Sequence, residues 1–262
     1  MNQDSIGVFD SGVGGLTVLS ALKRRWPGEN FIYLADTARL PYGSKSLTTI
    51  HQYAEQNIRL LLKMNVKAVI IACNSASTAI LEIPSSCPVP LFNVVQPGAR
   101  KAVEVSISKR IGVLGTRATI LSEAYPHAIR KLAPDAQVFQ QPCPLWVPLV
   151  EEGWIDDPIT NLIVYRYVSG LARLNVDTLI LGCTHYPALK AAIQKVVGRE
   201  VHLVDSSHGL IEDLEKMGIC NEGNAPGLFK LLCTDFSPRL EETFRLLLGE
   251  ISYDALETVH LN

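Results

Sequence analysis

The stretch Thr178–Pro187, "TLILGCTHYP", decides how this chain is read. A run of strand length, without polar alternation, passes directly into a thiol, a hydroxyl and an imidazole. Such a run fits a strand covered on both faces, the habit of parallel sheets flanked by helices. "VIIACNSAST" at 69–78 has the same form: a β-branched run, a small residue, then Cys73, Asn74 and Ser75.

Working outward from these two stretches, apolar runs of strand length alternate with helical patterns. The runs are "SIGVFD", "NFIYLA", "AVIIA", "PLFNVV", "RIGVLG", "AQVFQQ", "TLILG" and "EVHLVD". Strands separated by helices predict βαβ units and parallel sheets. Helix signals stand between them: Pro158 early in "DDPITNLIVYRYVSGLARLNV", Ser237-Pro238 and Gly249 around "SPRLEETFRLLLG", and Pro187 and Gly198 in "HYPALKAAIQKVVG".

A weak internal repeat is also present. "IGVFDSG" at Ile6 and "IGVLGTR" at Ile111 are separated by nearly the same interval as Cys73 and Cys183. Each half offers an early strand ending in small polar residues and a later strand ending in cysteine. The expected architecture is α/β, with two similar parallel-sheet domains facing each other across an active-site cleft. Open α/β sheets bind ligands beyond the carboxyl ends of their strands, which would set the two cysteines on opposite walls of that cleft. Residues 210–262 have no counterpart in the repeat.

Composition narrows the function classes. The chain has 262 residues, with 24 Lys and Arg against 26 Asp and Glu and a formal charge of −2, and it has no basic block. That balance gives no electrostatic footprint for nucleic acid or an anionic membrane. "MNQDSIGVFD" lacks the basic and apolar segments of a signal peptide, and no uncharged apolar run approaches membrane-spanning length. The expectation is a soluble protein, neither secreted nor spanning. Six cysteines, at 73, 87, 143, 183, 220 and 233, include no Cys-x-x-Cys pair, which argues against a disulfide framework or a finger-type zinc site. Cys87, Cys143, Cys220 and Cys233 lie in ordinary apolar or loop contexts and read as small core hydrophobes.

Three chemistries compete for Cys73 and Cys183. A zinc site from Cys73, Cys183 and His185 lacks an acid or second histidine at suitable spacing beside Cys73. A nucleophilic cysteine with His185 as base would make an acyl-transfer enzyme but leaves one cysteine idle. Two cysteines on opposite faces of a bound carbon suit inversion of a stereocentre: one thiolate removes the Cα proton and the other thiol delivers one from the far side. A ligand-binding module without catalysis would need neither thiol. The inversion reading asks for an ionised thiol at neutral pH, costing about 2 kcal/mol from an ordinary pKa of about 8.5. A helix N-terminus and a neighbouring imidazolium such as His185 are expected to supply it.

Other residues fall around this pair. "FDSGVGGLT" sets Asp10 and Ser11 at a strand end, followed by Gly12, Gly14 and Gly15. It matches neither dinucleotide fingerprint nor phosphate loop, so the glycines are expected to admit backbone N–H groups to a small ligand. Asp10 either relays protons or caps the next helix. Pro41-Tyr42-Gly43 forms the rigid point of a long polar loop expected to cover a site. Thr116 and Thr119 occupy the places of Asp10 and Ser11 in the second half, as hydroxyl donors to a carboxylate or as helix caps.

"DSGVGG", "LADTARLPYG", "ACNSAST", "VVQPGARKAV", "IGVLGTRATI", "CPLWVPLVEEG", "LILGCTHYP" and "LVDSS" together closely resemble the glutamate racemases of the aspartate/glutamate racemase superfamily, along the whole chain and in order. The resemblance implies cofactor-independent racemisation of L-glutamate to D-glutamate, with no metal, and supply of D-glutamate for peptidoglycan in a bacterial cytoplasm. It implies Cys73 and Cys183 as the acid/base pair, with Asp10 and His185 assisting. Glutamate would be held by Asp10, Ser11, Tyr42, Gly43, Asn74, Ser75, Thr184 and His185, alongside Thr116 and Thr119. Ser75 stands where the family usually has threonine, keeping the hydroxyl. The implied domains are 1–96 with 210–262, and 97–209, and a homodimer is expected. Aspartate is the alternative substrate, since related enzymes share the paired cysteines.

Overall fold

A computed structural model describes residues 5–81, 87–223 and 225–261, so the first four residues of the opening stretch lie outside it. In chain order the elements are β1 (Ser5–Asp10), α1 (Leu16–Arg25), β2 (Asn30–Ala35), α2 (Leu47–Lys63), β3 (Ala68–Ile71), α3 (Asn74–Ala79) and β4 (Leu91–Asn93). There follow α4 (Val95–Val105), β5 (Arg110–Gly115), α5 (Arg117–Leu121), α6 (Ala124–Leu132), β6 (Gln137–Pro142), α7 (Trp146–Glu151) and α8 (Pro158–Ala172). The chain closes with β7 (Thr178–Gly182), α9 (Lys190–Val197), β8 (His202–Asp205), α10 (Ser206–Met217), β9 (Phe229–Cys233), α11 (Pro238–Leu248) and β10 (Ala255–Thr258). Single helical turns at Thr37–Arg39, Tyr42–Ser44 and Tyr186–Leu189 complete it.

The strands form two sheets, in the orders β10-β9-β2-β1-β3-β4 and β6-β5-β7-β8. Every pairing between them is parallel. The order β2-β1-β3-β4 is thus repeated as β6-β5-β7-β8, which gives the weak sequence repeat a structural meaning. The central strands β1, β3 and β7 are buried along their whole length because both of their faces are covered, whereas the edge strand β6 carries three glutamines and is only partly buried. Val8 faces the core shared with α1, α10 and α11, while Phe9 faces α2. Leu179 faces α7, α8 and α9, while Ile180 faces α4 and α6. Fully burying one such side chain contributes about 1.5–3 kcal/mol.

The sequence-based helix ends hold where capping chemistry marks them. Asp157 accepts from the Ile159 amide with Pro158 opening α8, and Ser237 accepts from the Leu240 amide with Pro238 opening α11. Gly249 follows α11 at a φ of 61°, a left-handed value that glycine adopts without strain. The C-terminal strands β9 and β10 extend the first sheet beyond β2.

One exchange ties the two halves together. Helix α4, which leaves the first sheet after β4, sets Val95, Ala99 and Ala102 into the second core with Ile111, Val113 and Val204. Helix α10, which leaves the second sheet after β8, sets Leu210 and Leu214 into the first core with Leu16 and Leu19. The exchanged helices lie against each other, with Arg100 paired to Asp213 at 2.7 Å and Lys101 to Glu212 at 2.8 Å.

Candidate active site

A sheet of strand order 2-1-3-4 reverses direction between its first and third strands, and the crevice at their carboxyl ends is where such folds take ligands. In the first sheet that point is flanked by Asp10, ending β1, and Cys73, two residues past β3. In the second it is flanked by Thr116, following β5, and Cys183, following β7. The two crevices share one cavity of about 370 Å³, to which both cysteines contribute. Ser11, Tyr42, Gly43, Asn74, Ser75, Thr116, Thr184 and His185 also line it.

Local structure explains each placement. Cys73 is the cap of α3: its sulfur accepts from the Ala76 amide at 3.5 Å, and its thiol donates to the Ser11 hydroxyl at 3.6 Å. Thr116 caps α5 by accepting from the Thr119 amide at 3.2 Å, and its hydroxyl meets that of Ser75 at 2.9 Å. Tyr42 is fixed by the buried Asp36 carboxylate, which its hydroxyl bonds, and by the Asn57 amide donating to it at 2.9 Å. Cys183 Sγ lies 3.9 Å from His185 Nδ1, and His185 Nε2 lies 3.1 Å from a Glu151 oxygen. With Nε2–H donating to Glu151, Nδ1 presents its lone pair to the Cys183 thiol.

Two expected contacts sit one layer behind the cavity wall. Asp10 is fully buried: its carboxylate accepts from the Gly12 amide at 3.0 Å and from the Thr184 hydroxyl at 3.2 Å. Thr119 is also fully buried, with its hydroxyl 3.1 Å from that of Thr116 and 3.4 Å from that of Ser75. Both therefore reach the cavity through a neighbour.

The glycine-rich turn does something other than expected. A Cβ on Gly14 would come within 2.4 Å of His185 Nδ1 and Thr184 Oγ1, and one on Gly15 within 2.6 Å of the Asp10 Cβ. Gly14 thus makes room for side chains of the opposite half and Gly15 for those of its own, and among the three only Gly12 borders the cavity. A Cβ on Gly43 would likewise meet the Thr116 side chain at 2.6 Å.

The electrostatics also differ from the sequence expectation. Burial, and then the Asp10 carboxylate, push the Cys73 thiol up to about 12, outweighing the Ala76 amide that favours the thiolate. Burial likewise pushes Cys183 well above the ordinary thiol range, with Cys73, Asp10 and Glu151 adding to it against the His185 amide. The physical reason is exposure: Cys73 is 5% and Cys183 6% exposed, and α3 is only six residues long. Asp10 too is raised, by burial. With protein groups alone, both cysteines are thiols at neutral pH.

Leu40, Arg117, Pro144, Val147, Pro148 and Glu151 line the cavity without having been singled out in the sequence. Glu151 is the chemically important one, and its only signal is membership in the "CPLWVPLVEEG" segment. Among the described residues no three His, Cys, Asp or Glu side chains converge closely enough to share a metal ion. No helix among them is long and apolar enough to cross a membrane.

Residues 11–213 match the family model described as Asp/Glu/Hydantoin racemase. A protein of Syntrophus aciditrophicus named glutamate racemase is 45% identical, with both chains covered completely. The solved glutamate racemase of Francisella tularensis in complex with D-glutamate is 35% identical and superposes with a TM-score of 0.90, over 100% of this chain and 99% of that one. A glutamate racemase structure from Bacillus anthracis is 33% identical with a TM-score of 0.92, covering 98% of each chain.

Proposed function

The chain belongs to the Asp/Glu/Hydantoin racemase family, and on that premise we propose that it is a glutamate racemase working through Cys73 and Cys183. One observation carries this reading: two buried thiols, each at the carboxyl end of the equivalent strand of a repeated sheet, border one cavity. A single-nucleophile hydrolase has no use for the second.

In this mechanism one cysteine acts as thiolate and takes the Cα proton, so that the C–H bond breaks and an S–H bond forms. The electron pair left on Cα takes a proton from the thiol on the other side, which becomes the new thiolate. Direction reverses by exchange of roles. A thiolate is unfavourable in the protein alone, and the ammonium of a bound amino acid supplies an opposing positive charge. His185, held by Glu151, faces Cys183 and is placed to hold or return its proton. Asp10 lies behind Cys73 and Thr184 and serves the same need from the other half. Ser11, Tyr42, Gly43, Asn74, Ser75, Thr116 and Thr184 hold the substrate, with Thr119 supporting Ser75 and Thr116.

The reading extends to the domains and the cellular role. We take 1–96 with 210–262, and 97–209, as the two domains; the packing of α4 and α10 on each other's cores supports that division. A cytoplasmic homodimer supplying D-glutamate for peptidoglycan rests on the family resemblance.

The test is racemisation by the purified chain, followed by optical rotation, with L- and D-glutamate and with aspartate. Glutamate is expected to lose rotation, and Cys73→Ser or Cys183→Ser to lower the rate by at least about 10²-fold. Exclusive turnover of aspartate would replace the substrate, and near-normal turnover in either variant would remove the two-thiol mechanism.

A further inference from the structure

Asn74 follows Cys73 directly, is 1% exposed and lines the cavity. Its two ends are treated very differently. The side-chain oxygen accepts from the Tyr125 phenol at 2.6 Å and faces the Ser206 hydroxyl at 3.2 Å. The side-chain nitrogen is buried and has no hydrogen-bond partner among the described residues. A buried amide N–H without an acceptor is costly, and folded proteins keep one where another molecule meets it.

The place of Tyr125 is itself constructed. Its ring, on α6, is fully buried, and it passes between Gly98 of α4 and Gly182 of β7. A Cβ on those glycines would stand 3.4 Å and 3.3 Å from the ring. Burial holds the phenol far above its usual range against the opposing Ser206 hydroxyl, so it remains an O–H donor at neutral pH. Ser206 opens α10 and is 4% exposed.

An amide turned the other way would offer its oxygen lone pairs to the cavity and repel a carboxylate. We propose that Tyr125 and Ser206 are positioning residues that fix the polarity of the Asn74 amide, so that its N–H groups face a carboxylate of the substrate. This rests on the racemase reading above. Asn74 follows a strand of the first sheet, whereas Tyr125 lies between strands of the second and Ser206 follows its last strand. The carboxylate donor is therefore complete only when both halves contribute.

The experiment is steady-state racemisation of L- and D-glutamate by wild type, Tyr125→Phe, Ser206→Ala and the double variant, each checked for folding by thermal melting. Tyr125→Phe is expected to raise KM about tenfold while kcat stays within about threefold, because the contact is made alike in ground and transition states. Ser206→Ala should act in the same direction with a smaller effect, and it provides the test if Tyr125→Phe fails to fold. Racemisation of glutamate has an equilibrium constant of one, so the loss in kcat/KM must be equal for both enantiomers. Unchanged KM in an active, folded double variant, or a loss confined to kcat, overturns the proposal. An inactive wild type would instead overturn the racemase reading.

Discussion

The two cysteines show how local sequence and burial can pull a side chain in opposite directions. A cysteine that caps a helix invites the expectation of a lowered pKa, yet burial dominates at Cys73 and raises it from 9.0 to about 12. The consequence for stability has a definite sign. Between pH 9 and 12 the unfolded thiol releases its proton while the folded one keeps it, so the unfolded state binds fewer protons and stability falls as pH rises. Below about 9 both states are protonated and the group contributes no slope. Thermal melting followed across this window is expected to decline, and Cys73→Ser to make the decline shallower. Cys220, also raised to about 12 by burial, retains its share in that variant. An identical slope in Cys73→Ser would contradict the placement of a buried, protonated thiol.

At the scale of elements, the glycine turn between β1 and α1 is where sequence and structure diverge most usefully. Its glycines suggested a backbone cradle, but Gly14 is small because His185 and Thr184 occupy the space beside it. Gly14→Ala should therefore keep the fold, at a packing cost of about 1–3 kcal/mol, while displacing His185 and lowering kcat. Steady-state assay with melting distinguishes this from general unfolding, and normal kcat in a folded variant would refute the close approach. The central strands β1, β3 and β7 were legible because parallel strands buried on both faces read as nearly unbroken apolar runs, and the other strands of the repeat by their alternation with helical patterns. Strand β9, "FKLLC", was not, since Lys230 interrupts its apolar run, and β10, "ALET", is a polar sheet edge. Glu151 lay within a quoted segment but had no mark of its own: its partner His185 is reached only through the approach of α7 to the turn after β7, which no spacing in the chain reports.

Across the whole molecule, a repeated sheet order creates two equivalent crevices, and the exchange of α4 and α10 holds them together over one cavity. Hydrogen bonds cross this junction: Thr184 to Asp10, Thr17 to the Thr184 carbonyl, Tyr125 to Asn74 and Ser75 with Thr116. The pairing of the cysteines was readable from their matched contexts, because each ends the equivalent strand of its half. The helix exchange was not, since it depends on which core an amphipathic helix joins after leaving its sheet. The proposed catalysis by two thiols would then be a property of the assembled pair of halves, and the fate of the Cα proton tests it most directly. Glutamate of one hand is incubated with the protein in D2O and sampled at low conversion, and deuterium is measured at Cα in the product and in the recovered substrate. Two acid/base groups predict a fully labelled product and an essentially unlabelled substrate, in both directions. Carry-over of the original proton into the product, or equal labelling of both enantiomers from the start, would mean a single base and would contradict the account.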